Sequence, residues 1–172
     1  IVKVRHIHSW DIPVQDALAL QRQLNPLVSQ QNAVPDPPRY VAGADLSPPD
    51  AQGEVQCGVV VLAFPSLEVV EVKTARGRPN FPYVPGLLSF REAPLALEAL
   101  ERLEHEPDLL LADGQGLAHP RRFGLACHLG LLTGLPTIGC AKSLLVGKHG
   151  ALPPEKGAWA TLEHKGEAVG AA

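Results

Sequence analysis

Apolar and polar residues in the first half of the chain follow first a helical and then a strand-like spacing. A loosely helical apolar pattern covers residues 14–28, and Pro26 is expected to kink or end that helix. Residues 40–45 form a short apolar segment that ends in a carboxylate, and two valine-rich segments, residues 55–64 and 67–73, follow it. These patterns predict one helix and then a three-stranded antiparallel meander.

The second half of the chain alternates helical and strand patterns. Residues 89–106 carry leucines at helical spacing, whereas residues 108–113 lack alternation, as in a parallel strand that is buried on both faces. Pro120 is expected to begin a helix that ends near Leu132, residues 137–141 predict a further strand, and residues 159–172 predict a hairpin. We therefore expect an α/β protein with a mixed sheet flanked by helices.

Composition limits the class of protein to which this pattern belongs. The chain has 172 residues, of which 45% are hydrophobic, so one domain is expected. Its three cysteines form no CxxC pair, which favours a reducing compartment, and no segment approaches the ~20 apolar residues of a membrane span. We expect a soluble, cytoplasmic protein that has no membrane partner.

Charge indicates that any contact with nucleic acid is local. The net charge is −3 and the sequence pI is near 6.2, which is not typical of a protein that coats nucleic acid nonspecifically. Small basic groups do occur, and a solvated surface is the preferred interpretation of each group taken alone. They comprise Lys73, Arg76 and Arg78, then Arg121 and Arg122, and then Lys142 and Lys148.

Three carboxylates are placed where a divalent metal site would need them. Asp45 ends the first predicted strand and Asp113 ends the fourth, so neighbouring strands would present both at one edge of the sheet. Glu92 lies in the first turn of the intervening helix. Carboxylate oxygens are the ligands that Mg²⁺ or Mn²⁺ prefer.

Each carboxylate also has a structural interpretation. Glu92 follows Ser89 by three residues, which is the spacing of a capping box, and capping is at least as good an interpretation as metal binding. Asp45 and Asp113 each stand before residues that favour turns. Without further information, ordinary turn chemistry is the preferred interpretation of Asp45 and Asp113.

Four sequence blocks change that balance. They are YVAGADLS at residues 40–47, FPYVPGLLSFRE at 81–92, DGQGLAHPRRFGLACHLG at 113–130 and PTIGCAKSLL at 136–145. In this order and spacing the chain resembles the endonuclease V family from roughly residue 10 to its end. The resemblance implies a ribonuclease-H-like fold, with which the predicted element order agrees. It also implies Mg²⁺, for which Mn²⁺ can substitute, and hydrolysis in DNA repair of the second phosphodiester bond 3′ to deoxyinosine, leaving 3′-hydroxyl and 5′-phosphate ends.

The resemblance assigns catalytic roles to four residues. Asp45, Glu92 and Asp113 become the metal-binding and catalytic carboxylates. Lys142 becomes the active-site lysine, whose ammonium would offset charge on the attacked phosphate, although a surface lysine is the simpler interpretation of this residue alone. His119 resembles a residue near the active site and the base pocket, and a role only at the start of a helix is the alternative.

The resemblance also assigns a wedge and a base pocket. The wedge is formed by Pro82, Tyr83, Val84 and Pro85, and Tyr83 would fill the gap that an extruded base leaves in a duplex. A tyrosine that packs its loop onto the core is the usual alternative. Glycines let the backbone approach a base edge closely. The residues that match the pocket for the extruded base are Gly86, Leu88, Gly114, Gly116 and Leu145.

One departure from the family limits these assignments. The family's chain continues past the hairpin into a segment that contributes a histidine near the metals, so we interpret residues 1–172 as a single but C-terminally incomplete domain. We expect a monomer at full length, and weaker stability and cleavage without that segment. The expected partner is inosine-containing DNA. Two alternatives stay open, an endonuclease for inosine in RNA and a module that binds inosine without cutting.

Overall fold

The structure, a computed structural model, describes residues 1–172. An N-terminal segment leads into α1 (Val14–Leu24), and a single 3₁₀ turn (Asn25–Leu27) follows directly. Pro26 lies in that turn, where its missing N–H removes a helical hydrogen bond. The predicted end of the first helix is therefore confirmed.

Five strands form the central sheet: β1 (Tyr40–Leu46), β2 (Val55–Ala63), β3 (Val69–Gly77), β4 (Leu109–Ala112) and β5 (Thr137–Gly139). Their order across the sheet is β3-β2-β1-β4-β5. The first three strands pair antiparallel, whereas β4 runs parallel to β1 and β5 runs parallel to β4. The sheet is thus mixed, and both the meander and the predicted fold class are confirmed.

Two strand boundaries differ from the sequence prediction. The third strand, predicted at residues 67–73, begins at Val69 and continues to Gly77, because the turn after β2 holds Leu67 in a left-handed conformation with φ of 60°. The fifth strand ends at Gly139 rather than Ala141. The local sequence pattern therefore misplaced the turn before β3 and the turn after β5.

Two helices cover the sheet, α2 (Leu88–Glu101) and α3 (Leu125–Thr133). They pack against each other, with α2 on β2 and β3 and α3 on β4 and β5. The main hydrophobic core lies between these helices and the sheet. Its fully buried members include Val59, Val61, Leu100, Leu110, Leu129 and Leu132.

The helix boundaries show where local pattern is overridden. α2, predicted to reach Glu106, ends at Glu101, because the backbone amides of Glu104 and His105 donate to the Glu71 carboxylate of β3. These two amides therefore do not continue the hydrogen bonding of the helix. The Glu71 pKa falls to about 2, because the amide, Lys73 and His105 hydrogen bonds outweigh its desolvation.

The predicted start of α3 at Pro120 is wrong, and the helix begins at Leu125. Residues 119–124 form a turn in which Arg122 has a φ of 54°, and Gly124 stands at the N-cap. The helix ends at Gly134, whose φ of 76° is the left-handed conformation that favours glycine.

A second sheet contains β6 (Lys148–His149), β7 (Thr161–His164) and β8 (Glu167–Ala171), in that order. The predicted hairpin is confirmed, since Lys165 and Gly166 both have positive φ in the turn between β7 and β8. β6 was not predicted. The structure contains no helix that combines the length and the apolar character needed to cross a membrane.

Candidate active site

The first two carboxylates lie at neighbouring strand ends. β1 and β4 are parallel, with Ala44 beside Ala112, and the Asp113 amide donates to the Ala44 carbonyl over 3.1 Å. Asp45 is the next residue of β1. Because parallel strands end at the same edge, the two side chains are presented together, as the sequence predicted.

Glu92 approaches this edge from α2. The helix has Leu87 at its N-cap and no side-chain cap, and the Ser89 hydroxyl is instead 2.9 Å from His128 Nδ1. The capping-box interpretation of Ser89 and Glu92 is therefore wrong. Glu92 is the fifth residue of the helix rather than part of its first turn.

The three carboxylates influence one another electrostatically. Burial, followed by repulsion from Asp45 and Asp113, raises the pKa of Glu92 to about 7. Burial, followed by the charges of Asp45 and Glu92, raises the pKa of the Cys57 thiol to about 12. Glu92 therefore ionises less readily than a glutamate in water.

Lys142 supplies the opposing charge. Its Nζ lies 2.6 Å from Asp113 Oδ2, and its side chain is 84% exposed. The hydrogen bond to Asp113 and the field of Asp113 and Asp45 raise the lysine pKa. An exposed ammonium in this position can move toward another anion, such as a phosphate, without leaving the site.

The donor set fits a hard divalent cation. Carboxylate oxygens are the ligands that Mg²⁺ and Mn²⁺ prefer, and a cation bound beside Glu92 would lower the cost of ionising it. The present spacing of the three carboxylates is not that of a ready coordination cluster, since no group of three acidic, histidine or cysteine side chains is arranged to hold a metal ion. Asp45 accepts from the Leu46 amide and Asp113 pairs with Lys142.

These residues border a cavity of about 430 Å³. The cavity also contains most of the predicted wedge and base pocket. Pro82 and Gly116 do not line it, and Gly116 instead accepts a hydrogen bond from the Gly124 amide behind the wall. The predicted residues that line it are Asp45, Tyr83, Val84, Pro85, Gly86, Leu88, Glu92, Asp113, Gly114, His119, Lys142 and Leu145.

The loop of residues 81–87 places Tyr83 at the rim. Phe81 is buried and its carbonyl accepts from Arg91 Nη1 over 2.9 Å, while the Leu87 amide donates to the Val84 carbonyl. Tyr83 between them is 76% exposed. It therefore does not pack its loop onto the core, which was the alternative interpretation.

His119 is buried and holds this loop. Its Nε2 is 2.8 Å from the Gly86 carbonyl, and its Nδ1 accepts from the Arg121 amide, which identifies Nε2 as the protonated nitrogen. Burial lowers the pKa of His119 to about 4, so the imidazole is neutral. The residue lies at the cavity wall and does not begin a helix.

Several cavity residues were not predicted. Gln115 Nε2 donates to the Ser143 carbonyl and ties the loop after β4 to the loop after β5. Ser89 belongs to a series of hydrogen-bonded side chains. Its hydroxyl contacts His128 Nδ1, and His128 Nε2 lies 2.7 Å from His8 Nε2. Gln21, on α1, is buried at the cavity wall. In the sequence, the only indication of a special role for Gln21 was its polar side chain on the apolar side of a predicted helix.

The basic residues have more specific contacts than a solvated surface would provide. Arg76 pairs with Asp50 and Glu54. Arg122 donates to the His119 and His164 carbonyls and so joins the turn before α3 to the second sheet. These contacts leave Lys142 as the predicted basic residue that faces the carboxylates.

Comparisons with known proteins identify the family to which the chain belongs. Residues 22–172 match the family model of endonuclease V. The sequence is 52% identical over 165 residues to endonuclease V of Roseiflexus castenholzii, covering 96% of this chain and 73% of the relative. The crystal structure of the Bacillus subtilis endonuclease V is similar with a TM-score of 0.91 and 36% identity, covering 99% of this chain and 75% of that one. Ciona intestinalis endonuclease V, in complex with a 24mer DNA containing an inosine followed by a ribo-adenosine, is similar with a TM-score of 0.71 and 29% identity, covering 84% and 62%.

Proposed function

Because the chain belongs to the endonuclease V family, we propose that it is a DNA repair endonuclease that recognises deaminated bases, chiefly deoxyinosine. It hydrolyses the second phosphodiester bond on the 3′ side of the lesion with a divalent metal and leaves a 5′-phosphate. The relatives' names support the nuclease activity, and the inosine-containing DNA bound by the Ciona intestinalis protein supports the substrate.

One observation carries this proposal. A single cavity joins the carboxylates Asp45, Glu92 and Asp113 to a wall that contains Gly86 and Gly114, with Tyr83 at its rim. Metal chemistry needs the first group, and close inspection of a flat base needs the second. Their shared cavity lets one bound nucleotide be recognised while a neighbouring phosphate lies at the acidic edge.

The chemistry follows from the charges of the acidic edge. Asp45, Glu92 and Asp113 would hold Mg²⁺, or Mn²⁺ in its place. Bound there, the metal would stabilise negative charge on the attacked phosphate as a Lewis acid. Lys142 lies against Asp113 and is free to swing toward that phosphate, where its ammonium offsets further charge.

Recognition follows from the opposite wall. Extruding a base costs a few kcal/mol, and less at a mispaired inosine, so the weaker pair is opened preferentially. Tyr83 stacks in the gap left behind, while Pro82, Val84 and Pro85 stiffen its loop. Gly86, Leu88, Gly114, Gly116 and Leu145 form or back the pocket for the base, and His119 holds Gly86 beside it.

The test uses matched oligonucleotides that contain a single inosine or a guanine, as DNA duplex, DNA single strand and RNA. Each is incubated with the protein in Mg²⁺ or in chelator, and any nick is mapped to the nucleotide. We expect a metal-dependent nick at the second phosphodiester bond 3′ to inosine in DNA.

Other outcomes assign a different function. A nick confined to inosine RNA would make the protein an endoribonuclease, since only contacts to the 2′-hydroxyl separate the two substrates. Preferential binding of inosine strands without any nick would make it a recognition module. Equal treatment of inosine and guanine would contradict the proposal.

A further inference from the structure

The carbonyl of Gly86 accepts three hydrogen bonds from side chains of two different segments. Gln21 Nε2 lies 2.9 Å from it, His119 Nε2 lies 2.8 Å from it, and Arg121 Nη2 lies 3.0 Å from it. A carbonyl oxygen has two lone pairs, so three donors saturate it.

Gln21 connects α1 to this point. Its side chain is buried, and its Nε2 also donates to the Phe123 carbonyl over 3.3 Å, while its Oε1 accepts from Arg121 Nε. Both ends of the amide are therefore satisfied. A buried polar network in which every member has a partner makes its surroundings rigid, and loss of one member leaves the others unpaired.

Arg121 completes the network with a charge that no carboxylate neutralises. Its Nε and Nη2 donate to Gln21 and Gly86, and no acidic side chain pairs with it. Burial and the neighbouring Arg22 lower its pKa. The planar fork of arginine reaches both acceptors at once, which a lysine ammonium cannot do.

Gly86 is shaped for this contact. Its φ is +81°, and a Cβ on it would lie 2.8 Å from Arg121 Nη2. The residue is therefore required both for the backbone conformation and for the approach of the guanidinium. At the other end of the loop, Arg91 holds the Phe81 carbonyl.

We propose that Gln21 and Arg121 are positioning residues that hold Gly86 and thereby set the direction in which Tyr83 enters a nucleic-acid duplex. This inference rests on the proposed function. The loop is anchored on both sides of an exposed tyrosine, so Tyr83 does not lose its orientation when it displaces a stacked base. A single strand has no continuous stack to open, and its binding does not depend on this orientation.

The test compares Gln21→Met and Arg121→Lys with Gln23→Met, an exposed glutamine two residues along the same helix. Binding to inosine duplex and inosine single strand is measured in chelator, and hydrogen exchange of residues 81–88 is measured on the free protein. For Gln21→Met and Arg121→Lys we expect about tenfold weaker duplex binding, less than about twofold change on the single strand, and faster exchange in the loop. Gln23→Met should match the wild type.

The outcomes separate this inference from the proposed function. Equal losses on duplex and single strand, or unchanged exchange in residues 81–88, would overturn the positioning role. Arg121→Lys keeps the charge, so it also shows whether Arg121 instead binds phosphate, in which case duplex affinity would be retained. A wild-type protein without preference for inosine would refute the proposed function, while loop exchange would still decide whether Gln21 and Arg121 hold Gly86.

Discussion

The two walls of the cavity differ in how far their polar groups are satisfied. On the acidic wall, formed by Asp45, Glu92, Asp113 and Lys142, the lysine pairs with Asp113 alone, and Glu92 ionises less readily than usual. On the loop wall, formed by Gly86 with Gln21, His119 and Arg121, every side chain has hydrogen-bond partners and the imidazole is neutral.

This difference matches what the proposed function requires of each wall. Repulsion between carboxylates destabilises the fold but increases affinity for a cation, because binding removes the repulsion. Saturated hydrogen bonds offer no affinity for a further ligand, but they fix geometry. We infer that the acidic wall lowers the stability of the fold but favours cation binding, whereas the loop wall provides a rigid support for recognition.

Asp113→Asn should have the largest effect and should separate the two walls. It removes one of the carboxylates proposed to bind metal and the partner of Lys142, so cleavage of inosine duplex should fall by at least about a hundredfold while binding in chelator changes little. Single-turnover cleavage and equilibrium binding measure the two effects. Glu163→Gln, an exposed carboxylate on β7, is the matched control. Cleavage at the wild-type rate would refute the acidic wall as the reaction site.

Gly86→Ala should damage the loop wall and leave the acidic wall intact. A residue with Cβ is strained at a φ of +81° and would crowd Arg121, so we expect a stability loss of about 1–3 kcal/mol. Urea unfolding measures this loss, and duplex binding should weaken in parallel. Gly150→Ala is a control, since a Cβ there meets nothing within 4 Å. Equal stability of the two variants would contradict the close approach at Gly86.

Glu92→Gln should act in the opposite direction and stabilise the protein. The pKa of Glu92 is raised from 4.5 to about 7, so the stability that this group contributes is fully present below about pH 4.5 and is lost as the pH rises through about 7. The variant cannot ionise. After allowance for solvent screening, its free energy of unfolding should exceed that of the wild type by on the order of 1–2 kcal/mol near pH 8 and by little near pH 4.5.

Unfolding of Glu92→Gln and wild type at both pH values in chelator checks this sign. Mg²⁺ near pH 8 should then stabilise the wild type more than the variant, since only the wild type has the repulsion to relieve. A variant that is less stable than the wild type near pH 8 would show that Glu92 is a structural hydrogen-bonding residue rather than a frustrated carboxylate.

The acidic wall was more predictable from sequence than the loop wall. Asp45 is the penultimate residue of β1 and Asp113 directly follows β4, and parallel pairing of these two strands brings both residues to one edge of the sheet. Their positions therefore depend on nearby residues and on one simple rule of sheet topology. Gln21 lies 65 residues from the carbonyl that it holds, and no periodicity of α1 indicated which segment its polar face would meet.

The two helix boundaries that were wrong share this cause. α2 ends where Glu71, from a distant strand, accepts from the amides of Glu104 and His105. α3 begins late because residues 119–124 form a turn whose carbonyls accept hydrogen bonds from Gln21 and Asn25. Local propensity describes a segment in isolation. Long-range hydrogen bonds decide where such a segment stops.

Tyr83→Ala should have the smallest effect, and it tests whether the loop wall serves to support the exposed Tyr83 side chain. Tyr83 is 76% exposed, so Tyr83→Ala should change the free energy of unfolding by no more than about 0.5 kcal/mol. Loss of one stacking contact should nevertheless weaken inosine duplex binding by about 1 kcal/mol, or roughly fivefold, with a smaller change on the single strand.

Trp159→Ala is the matched control for loss of an exposed ring, because Trp159 is 70% exposed and lies on a segment outside the cavity. Unfolding curves and binding ratios on the two substrates decide the matter. Equal losses on duplex and single strand would make Tyr83 a general stacking residue, and the rigidity of the loop wall would then have no role in opening a duplex.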